Sequence, residues 1–348
     1  MNCTACAAPV ESLPRETFRE PLFGRDFDIH VCGRCGVTFS VIPSEFPLRE
    51  WYTKAAHLYS EAEWIIHPSP EKDWRFNFFF SKARELDLQG RLLDIGSGDG
   101  RFLVRAGEEG WRGALSGLEG NPDMARRRKG NYTVEIGEIQ ELVERPGLQP
   151  YDVVTIFDVL EHLSEPGRSF GHIVRLIRPG GTLVVTVPNN DRIRVLEREA
   201  WDFPPNHNTR WTASALADLA KRNGLEVLEV RVSDFAFQSY SDQLFYKLFP
   251  IALSGVKRLL YGGKAGAKKT LTDLLAEDAG AEGKSLTGVK SRIADKASRR
   301  RIEVVLRDAF KVVMFPFLIP VALAVCLLMP GRKGDCLCLV ARKPATRP

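Results

Sequence analysis

The sequence predicts an α/β protein of the doubly wound type, preceded by a small cysteine-rich module. Three observations lead to this prediction. Residues 91–95 (RLLDI) read as a short apolar strand that runs into a glycine-rich turn and the start of a helix. Residues 113–119 (GALSGLE) read as the next strand, and Pro122 then fits the first turn of another helix. Two pairs of closely spaced cysteines precede these elements.

The glycine-rich turn is the most informative motif of the chain. Gly96, Gly98 and Gly100 allow the backbone to turn tightly and allow a ligand to approach where a Cβ would block it. The helix that follows begins with free backbone N–H groups. The third glycine comes two residues after the second, so the turn is not the dinucleotide G-x-G-x-x-G pattern. Asp94, at the end of the strand, suits a cationic ligand better than a pyrophosphate.

A second acidic residue ends the next predicted strand. Glu119 follows Asp94 by 25 residues. In doubly wound folds an acid at this place accepts hydrogen bonds from ribose hydroxyls. The alternative is a solvated carboxylate at a strand end. Residues 151–157 (YDVVTIF) and 181–187 (GTLVVTV) predict two further buried strands.

Together these motifs resemble the class I S-adenosylmethionine (SAM)-dependent methyltransferases, in particular the small-molecule enzymes of the ubiquinone-biosynthesis type. The resemblance rests on the glycine-rich run, on residues 158–163 (DVLEHL) and on residues 180–189 (GGTLVVTVPN), and it covers about residues 75–232. It implies a seven-stranded Rossmann-like sheet and SAM as the cofactor. The SAM site that it implies comprises Asp94, Gly96, Ser97, Gly98, Gly100, Glu119, Glu138 and Asp158. Glu138 departs from the family pattern, which more often has Asp near the adenine amine.

The N-terminal module contains Cys3-x2-Cys6 and Cys32-x2-Cys35, separated by 25 residues. Four thiolates suit a tetrahedral zinc ion, and a full set of four protein ligands indicates a structural rather than a catalytic metal. A segment of roughly 40 residues has too little core to fold alone, so a zinc ribbon is the physically reasonable interpretation. The alternative is four free thiols.

Two observations bear on partners and compartment. The net charge of +5, from 49 basic and 44 acidic residues, does not by itself imply nucleic acid. The first residues do not read as a signal peptide, and four of the seven cysteines form a metal pattern rather than a disulfide framework. We therefore expect a cytoplasmic protein, with peripheral association at the inner face of the cell membrane as a further hypothesis. The oligomeric state is not predicted.

The candidate catalytic residues are His162 and His207, which follow the fourth and fifth predicted strands at the rim where ligands bind in such folds. A lone histidine is more often structural, so both remain hypotheses. By resemblance, Asp158, Glu161 and His162 correspond to a divalent-metal cluster of the ubiquinone O-methyltransferases.

Near the C-terminus, residues 312–329 form a run of 18 uncharged, mostly apolar residues, with Lys311 before it and Arg332 and Lys333 after it. Residues 336–341 predict a final strand that pairs beside residues 225–232. A single membrane crossing is then excluded, because the chain must return to the sheet. The run is expected either to dip into an anionic membrane surface or to pack on the protein as a cap.

The predicted organisation is a zinc-ribbon module at 1–48, a SAM-binding domain at 49–233, a helical insertion at 234–333 and a final strand at 334–343. Residues 51–64 are expected to be helical, either as a lid over the SAM pocket or as a packing helix.

The predicted function is methyl transfer from SAM to a small-molecule or lipid-linked acceptor, such as a sugar or a polyprenyl-linked envelope precursor. One alternative is a non-catalytic SAM-binding scaffold. Another is an RNA methyltransferase whose ribbon contacts RNA. Residues 157–160 (FDVL) disfavour it, because enzymes that modify bases usually have a Pro-Pro-Tyr-like element at this place.

Overall fold

A computed structural model of the protein describes residues 1–11, 13–59, 70–126, 130, 132–192, 202–233, 313–321, 323–324, 327–328 and 334–345. Its strands are β1 (Glu16–Arg19), β2 (Asp26–Val31), β3 (Thr38–Phe39), β4 (Leu92–Ile95), β5 (Leu115–Glu119), β6 (Thr133–Ile136), β7 (Tyr151–Phe157), β8 (Ile177–Pro188), β9 (Thr209–Arg210), β10 (Glu226–Val232) and β11 (Cys336–Arg342). Its helices are α1 (Leu48–Tyr59), α2 (Trp74–Glu85), α3 (Arg101–Glu108), α4 (Pro122–Arg126), α5 (Ile139–Val143), α6 (Pro166–Leu176) and α7 (Ala213–Arg222).

Seven of these strands form one sheet in the order β10-β11-β8-β7-β4-β5-β6. The five strands β8, β7, β4, β5 and β6 are parallel to one another. Strand β11 runs antiparallel to both of its neighbours, β8 and β10. Helices cover both faces, and each face has its own apolar core. Leu93 and Ile95 of β4 face the core that α6 and α7 complete, and Leu92 faces the core formed with α2 and α3. The predicted doubly wound, seven-stranded fold is confirmed.

The last strand occupies the place that the sequence predicted. Leu337 pairs with Val232 of β10 and with Val187 of β8, so β11 lies between them. β10 therefore ends, and β11 begins, at the edge of the sheet where the parallel strands have their carboxyl ends. Residues 234–333 leave the sheet and return to it at this edge.

Within that insertion, the described residues 313–321, 323–324 and 327–328 are helical, and we call them the apolar helix. The rest of the predicted insertion lies outside the described residues. Among the helices that the structure describes, none is both long enough and apolar enough to cross a membrane.

A second, four-stranded sheet has the order β1-β2-β3-β9. Its first three strands belong to the N-terminal module, but β9 comes from the segment that follows β8. Thr38 of β3 pairs with Arg210, and Phe39 pairs with Thr209. The N-terminal module and the large domain therefore share a sheet, which no local sequence pattern had indicated.

Helix α1 packs against the N-terminal module. Trp51 and Ala55 are buried together with Phe27 and Phe46, and the Trp51 indole donates a hydrogen bond of 2.9 Å to the carboxylate of Glu20. Of the two hypotheses for this segment, these contacts favour the packing helix. Its predicted continuation over residues 60–64 lies outside the described residues.

Candidate active site

The glycine-rich turn joins β4 to α3, and its three glycines have different surroundings. A Cβ on Gly96 would lie 2.3 Å from a methyl group of Val159, and one on Gly100 would lie 1.8 Å from the Tyr132 hydroxyl. Among the described residues, a Cβ on Gly98 would come within 4 Å only of Met124 Cε, at 3.8 Å. Gly96 and Gly100 are therefore required by packing within the protein, whereas Gly98 faces open space and is the glycine that a ligand can approach.

Two other predicted SAM residues, Ser97 of this turn and Asp94 of β4, point into the protein. The Ser97 side chain is buried against β5, since a Cβ on Gly117 would lie 2.5 Å from its hydroxyl. Asp94 is also buried, and its carboxylate accepts a hydrogen bond of 2.7 Å from the Thr155 hydroxyl. Burial, together with the charge of Glu119, raises the pKa of Asp94 to about 7, although the Thr155 bond acts in the opposite direction. Its charge therefore changes near neutral pH.

Glu119 ends β5 and organises the turn beside it. One carboxylate oxygen accepts a hydrogen bond of 2.8 Å from the Gly98 amide, and the other accepts one of 2.8 Å from the Asn121 amide. Each carboxylate oxygen can accept a further bond, so ribose hydroxyls can still be received. Glu138 is exposed at the same rim, where a Cβ on Gly120 would lie 3.7 Å from its carboxylate. The structure thus brings Gly98, Glu119 and Glu138 together.

Asp158, the eighth predicted SAM residue, follows β7 and is engaged by groups of the protein. Its carboxylate accepts a hydrogen bond of 2.8 Å from the Thr186 hydroxyl and forms an ion pair with Arg75. Arg75 also pairs with Asp73, at 2.6 Å, at the start of α2. Burial acts to lower the pKa of Arg75, but Asp158 and Asp73 raise it overall. Sequence reasoning missed Arg75 because a lone arginine near a helix start carries no recognisable pattern.

His162 lies in a short 3₁₀ turn, Leu160–His162, directly after β7. Its Nδ1 is 2.7 Å from the carbonyl oxygen of Asn206. A carbonyl oxygen only accepts hydrogen bonds, so Nδ1 carries the ring proton and donates the hydrogen bond. In the neutral ring Nε2 is therefore unprotonated. Burial, with the nearby His207, lowers the pKa of His162 to about 4. His162 is therefore neutral at physiological pH and is a weak base.

His207 lies beside His162, with ring centroids 4.9 Å apart. Its Nδ1 is 3.6 Å from a carboxylate oxygen of the buried Asp202, which also pairs with Arg192. Burial acts to raise the pKa of Asp202, but His207 and Arg192 lower it overall, so the carboxylate is ionised. An ionised carboxylate beside one ring nitrogen can orient the ring, whereas burial disfavours the protonated form of His162. This arrangement favours His207 over His162 as a proton acceptor.

Glu161 completes this group of side chains. It is 1% exposed, and neither of its carboxylate oxygens has a hydrogen-bond partner in the described part of the chain. Burial, with the charge of Asp158, raises its pKa well above the usual value. Donor atoms of Glu161, His162 and His207 all lie within 4.8 Å of one another. This group differs from the metal-binding set that the resemblance implied: it includes His207, whereas Asp158 is paired with Arg75.

The four cysteines of the N-terminal module also come together. Cys3 Sγ is 3.7 Å from Cys35 Sγ, and Cys6 Sγ is 3.6 Å from Cys32 Sγ. Four sulfurs at about 2.3 Å from a tetrahedral zinc ion would lie about 3.8 Å apart. The sulfur positions therefore fit a structural zinc ion, and these four thiolates would hold it.

The N-terminal module contacts the segment that carries His207. The Ser40 amide, next to β3, donates a hydrogen bond of 2.9 Å to the Asn208 carbonyl. The Asn208 amide donates one of 2.8 Å to the Glu161 carbonyl, and its side-chain amide donates one of 2.7 Å to the His162 carbonyl. Phe18 of β1 stacks on Phe203, with centroids 4.4 Å apart. The module therefore supports the backbone on both sides of His207.

Comparisons with known proteins point to one class. Residues 73–230 match the family described as a methyltransferase domain. The ubiquinone biosynthesis O-methyltransferase of Caulobacter sp. (strain K31) is 32% identical over 103 residues, which cover 28% of this chain and 41% of that protein. The enzyme of the same name from Serratia proteamaculans (strain 568) is 28% identical over 123 residues, covering 34% and 50%. A solved SAM-dependent methyltransferase from Archaeoglobus fulgidus covers 77% of this chain and 94% of its own, with 15% identity and a TM-score of 0.42.

The chain spans about half the length of the curated relatives it matches. The matched region contains the seven-stranded sheet up to β10 and the turn in which Glu119 holds the Gly98 amide. The family match and the O-methyltransferase relatives support a class I SAM-dependent methyltransferase domain at residues 73–230.

Proposed function

We propose that the protein transfers a methyl group from SAM to a small-molecule or lipid-linked acceptor. The observation that carries the proposal is the arrangement at the carboxyl edge of the sheet. The open face of Gly98 and the carboxylate of Glu119 form a cofactor side, and the ionised Asp202 beside His207 forms a proton-accepting side. A non-catalytic SAM-binding scaffold would have no need for the proton-accepting side.

The residues that would hold SAM are those whose side chains or backbone face the rim. Glu119 would accept hydrogen bonds from the ribose hydroxyls, Gly98 would let the ligand lie against the backbone, and Glu138 would reach the adenine amine. Asp94 would contribute negative charge from below the turn. When bound, SAM supplies an activated methyl group whose carbon–sulfur bond breaks as the heteroatom of the acceptor attacks.

His207 would take the proton of the acceptor as the new bond forms. Asp202 would hold the His207 ring with Nδ1 toward its carboxylate and would stabilise the imidazolium that results. His162 would remain neutral and line the same space, since burial keeps its pKa at about 4. A divalent metal held by Glu161, His162 and His207 is the competing role for these residues, and it predicts that chelation abolishes turnover.

We propose further that Cys3, Cys6, Cys32 and Cys35 hold one structural zinc ion. The sulfur distances of 3.6 and 3.7 Å support this, because they approach those of a tetrahedral site. The zinc would stabilise a module whose own core around Phe27 and Trp51 is small, and whose Val37 and Phe39 pack into the core of the large domain.

The names of the relatives bear on the acceptor class. The curated relatives described above are named for ubiquinone biosynthesis, which motivates an acceptor with a lipid tail, such as a polyprenyl-linked or sugar-containing envelope precursor. We propose that the protein acts at the inner face of the cell membrane as a peripheral protein.

The test uses SAM labelled in its methyl group, incubated separately with a lipid extract, with soluble metabolites and with total RNA of the source cells. We expect label to enter the organic phase of the lipid extract. The transfer should require His207 and should persist when a chelator is present. The His207→Ala variant should bind SAM by calorimetry as the wild type does but transfer no label. SAM binding with no label in any fraction would support the scaffold hypothesis instead, and label in RNA would support the RNA methyltransferase.

A further inference from the structure

The apolar helix exposes an unusual amount of hydrophobic surface. Its exposed large apolar side chains are Val313, Phe317, Ile319, Val321, Leu323, Leu327 and Leu328, and the last two are 72% and 80% exposed. Only Leu318 is buried among the described residues of this helix, at 5% exposure. A contiguous apolar patch of this kind marks a surface that another apolar phase covers.

The exposed side chains share one broad face. In the unbroken described stretch 313–321, at 3.6 residues per turn, the four exposed positions Val313, Phe317, Ile319 and Val321 span an arc of about 200° around the helix axis. Leu318 lies on the opposite side, so the helix has one buried side and a wide exposed apolar face. This is the arrangement of a helix that lies in the plane of an interface, with protein on one side.

Topology argues against a span. Among the described helices, none is both long enough and apolar enough to cross a bilayer. The two ends of the insertion also meet, because the Ser233 amide donates a hydrogen bond of 2.9 Å to the Cys336 carbonyl. A single crossing would place these hydrogen-bonded residues on opposite sides of the bilayer.

The charges that flank the helix select the partner. Lys311 precedes it, Arg332 and Lys333 follow it, and Arg299–Arg301 form a further basic cluster earlier in the insertion. Two copies of this surface would bring like charges together, which disfavours self-association. A bilayer with anionic lipid complements both the apolar face and the charges.

The insertion is tied to the acceptor side of the site. Asn189, the first residue after β8, donates from its side chain to the Gly334 carbonyl at 3.1 Å and from its backbone to the Asp335 carbonyl at 2.8 Å. From Asn189 the chain continues into the segment that carries Asp202 and His207. The insertion that contains the apolar helix and the segment that carries the candidate base His207 therefore both leave the sheet at the same edge.

We propose that the apolar helix docks the carboxyl edge of the sheet onto an anionic bilayer, with the His207 segment toward the lipid head groups. If the proposed function holds, on which this step rests, the acceptor is an amphiphile whose reactive group lies at the membrane surface.

Flotation of the full-length protein with lipid vesicles tests the docking. We expect the wild type to float with vesicles of phosphatidylcholine and phosphatidylglycerol, less with phosphatidylcholine alone, and less at high salt. Leu327→Glu and Leu328→Glu should each lower the bound fraction about tenfold, the effect of removing one buried leucine from lipid. Leu13→Glu, at an apolar residue that is 81% exposed elsewhere, is the matched control and should float as the wild type does. Calorimetric SAM binding, unchanged in all variants, would show that they are folded.

The docking is overturned if the wild type does not float, if the two leucine variants float as well as it does, or if those substitutions instead dissolve a dimer in analytical ultracentrifugation. The proposed function fails separately. If the protein floats but label appears only in soluble metabolites, the docking is supported and the lipid acceptor is refuted. If label appears in lipid but the protein does not float, the lipid acceptor is supported and the docking is refuted.

Discussion

Gly98→Ala separates a ligand-binding role of the glycine-rich turn from a purely structural one. Gly98 has φ +56°, and in the described part of the chain the only atom within 4 Å of an added Cβ is Met124 Cε, at 3.8 Å. The substitution therefore meets no protein clash, and its cost to folding is the left-handed backbone alone, about 1–2 kcal/mol. Gly110, after α3 at the opposite edge of the sheet, has φ +76° and nothing within 4 Å of a Cβ. Gly110→Ala is thus a control with the same strain and no ligand nearby.

The two variants should lose similar stability, with a fall in Tm of roughly 2–4 °C for each kcal/mol. They should differ in SAM affinity. A methyl group placed against a ligand that backs onto Gly98 costs about 1–3 kcal/mol of binding, which raises the Kd for SAM by about 5- to 150-fold. Scanning calorimetry measures the first quantity and titration calorimetry the second. Equal SAM affinities in the Gly98→Ala and Gly110→Ala proteins would refute the placement of SAM against this turn.

The other predictions concern the remaining parts of the site. Glu119→Ala should weaken SAM binding by roughly 1.5–3 kcal/mol by calorimetry, since a charged hydrogen-bond acceptor is lost; an unchanged Kd would contradict its role. A cationic ligand favours ionised Asp94, whose pKa is about 7, so SAM affinity should rise about fivefold from about pH 6 to about pH 7 with release of a proton. The rise should vanish in Asp94→Asn. Elemental analysis should find about one zinc per chain, lost in Cys32→Ser but kept in the control Cys338→Ser, a buried thiol of β11. Asp202→Asn should lower kcat by up to about 100-fold at unchanged SAM affinity and alter the pH profile, whereas a purely structural Asp202 would leave that profile alone.

The sequence was most informative where a motif is local. The turn at Gly98, the acid at Glu119 and the final strand β11 were all predicted, because each depends on a short pattern or on the need to complete a sheet. The packing roles of Gly96 and Gly100 were not predicted, since they depend on Val159 and Tyr132, which are distant in the chain. Long-range packing leaves no local signature.

The same limit explains why the partners of the candidate base were missed. Asp202 follows a stretch of the chain with no regular pattern, and its pairing with His207 and Arg192 is visible only once the chain has folded. The two-residue strand β9 is likewise too short to be read from sequence, because strand periodicity needs at least four residues to show.

The pairing of β9 with β3 changes the interpretation of the N-terminal module. Cys35 is only three residues before Thr38, which pairs with Arg210, and Arg210 is three residues after His207. Arg210 also lies 3.6 Å from Glu16 and stacks over Phe203 at 4.7 Å. A displacement of the backbone at the cysteine cluster would therefore be passed through the β3–β9 pairing to the candidate base. Gly98 and Glu119 are held by the large sheet instead. We infer that the module positions the acceptor side of the site, so loss of zinc should impair methyl transfer more than it impairs SAM binding.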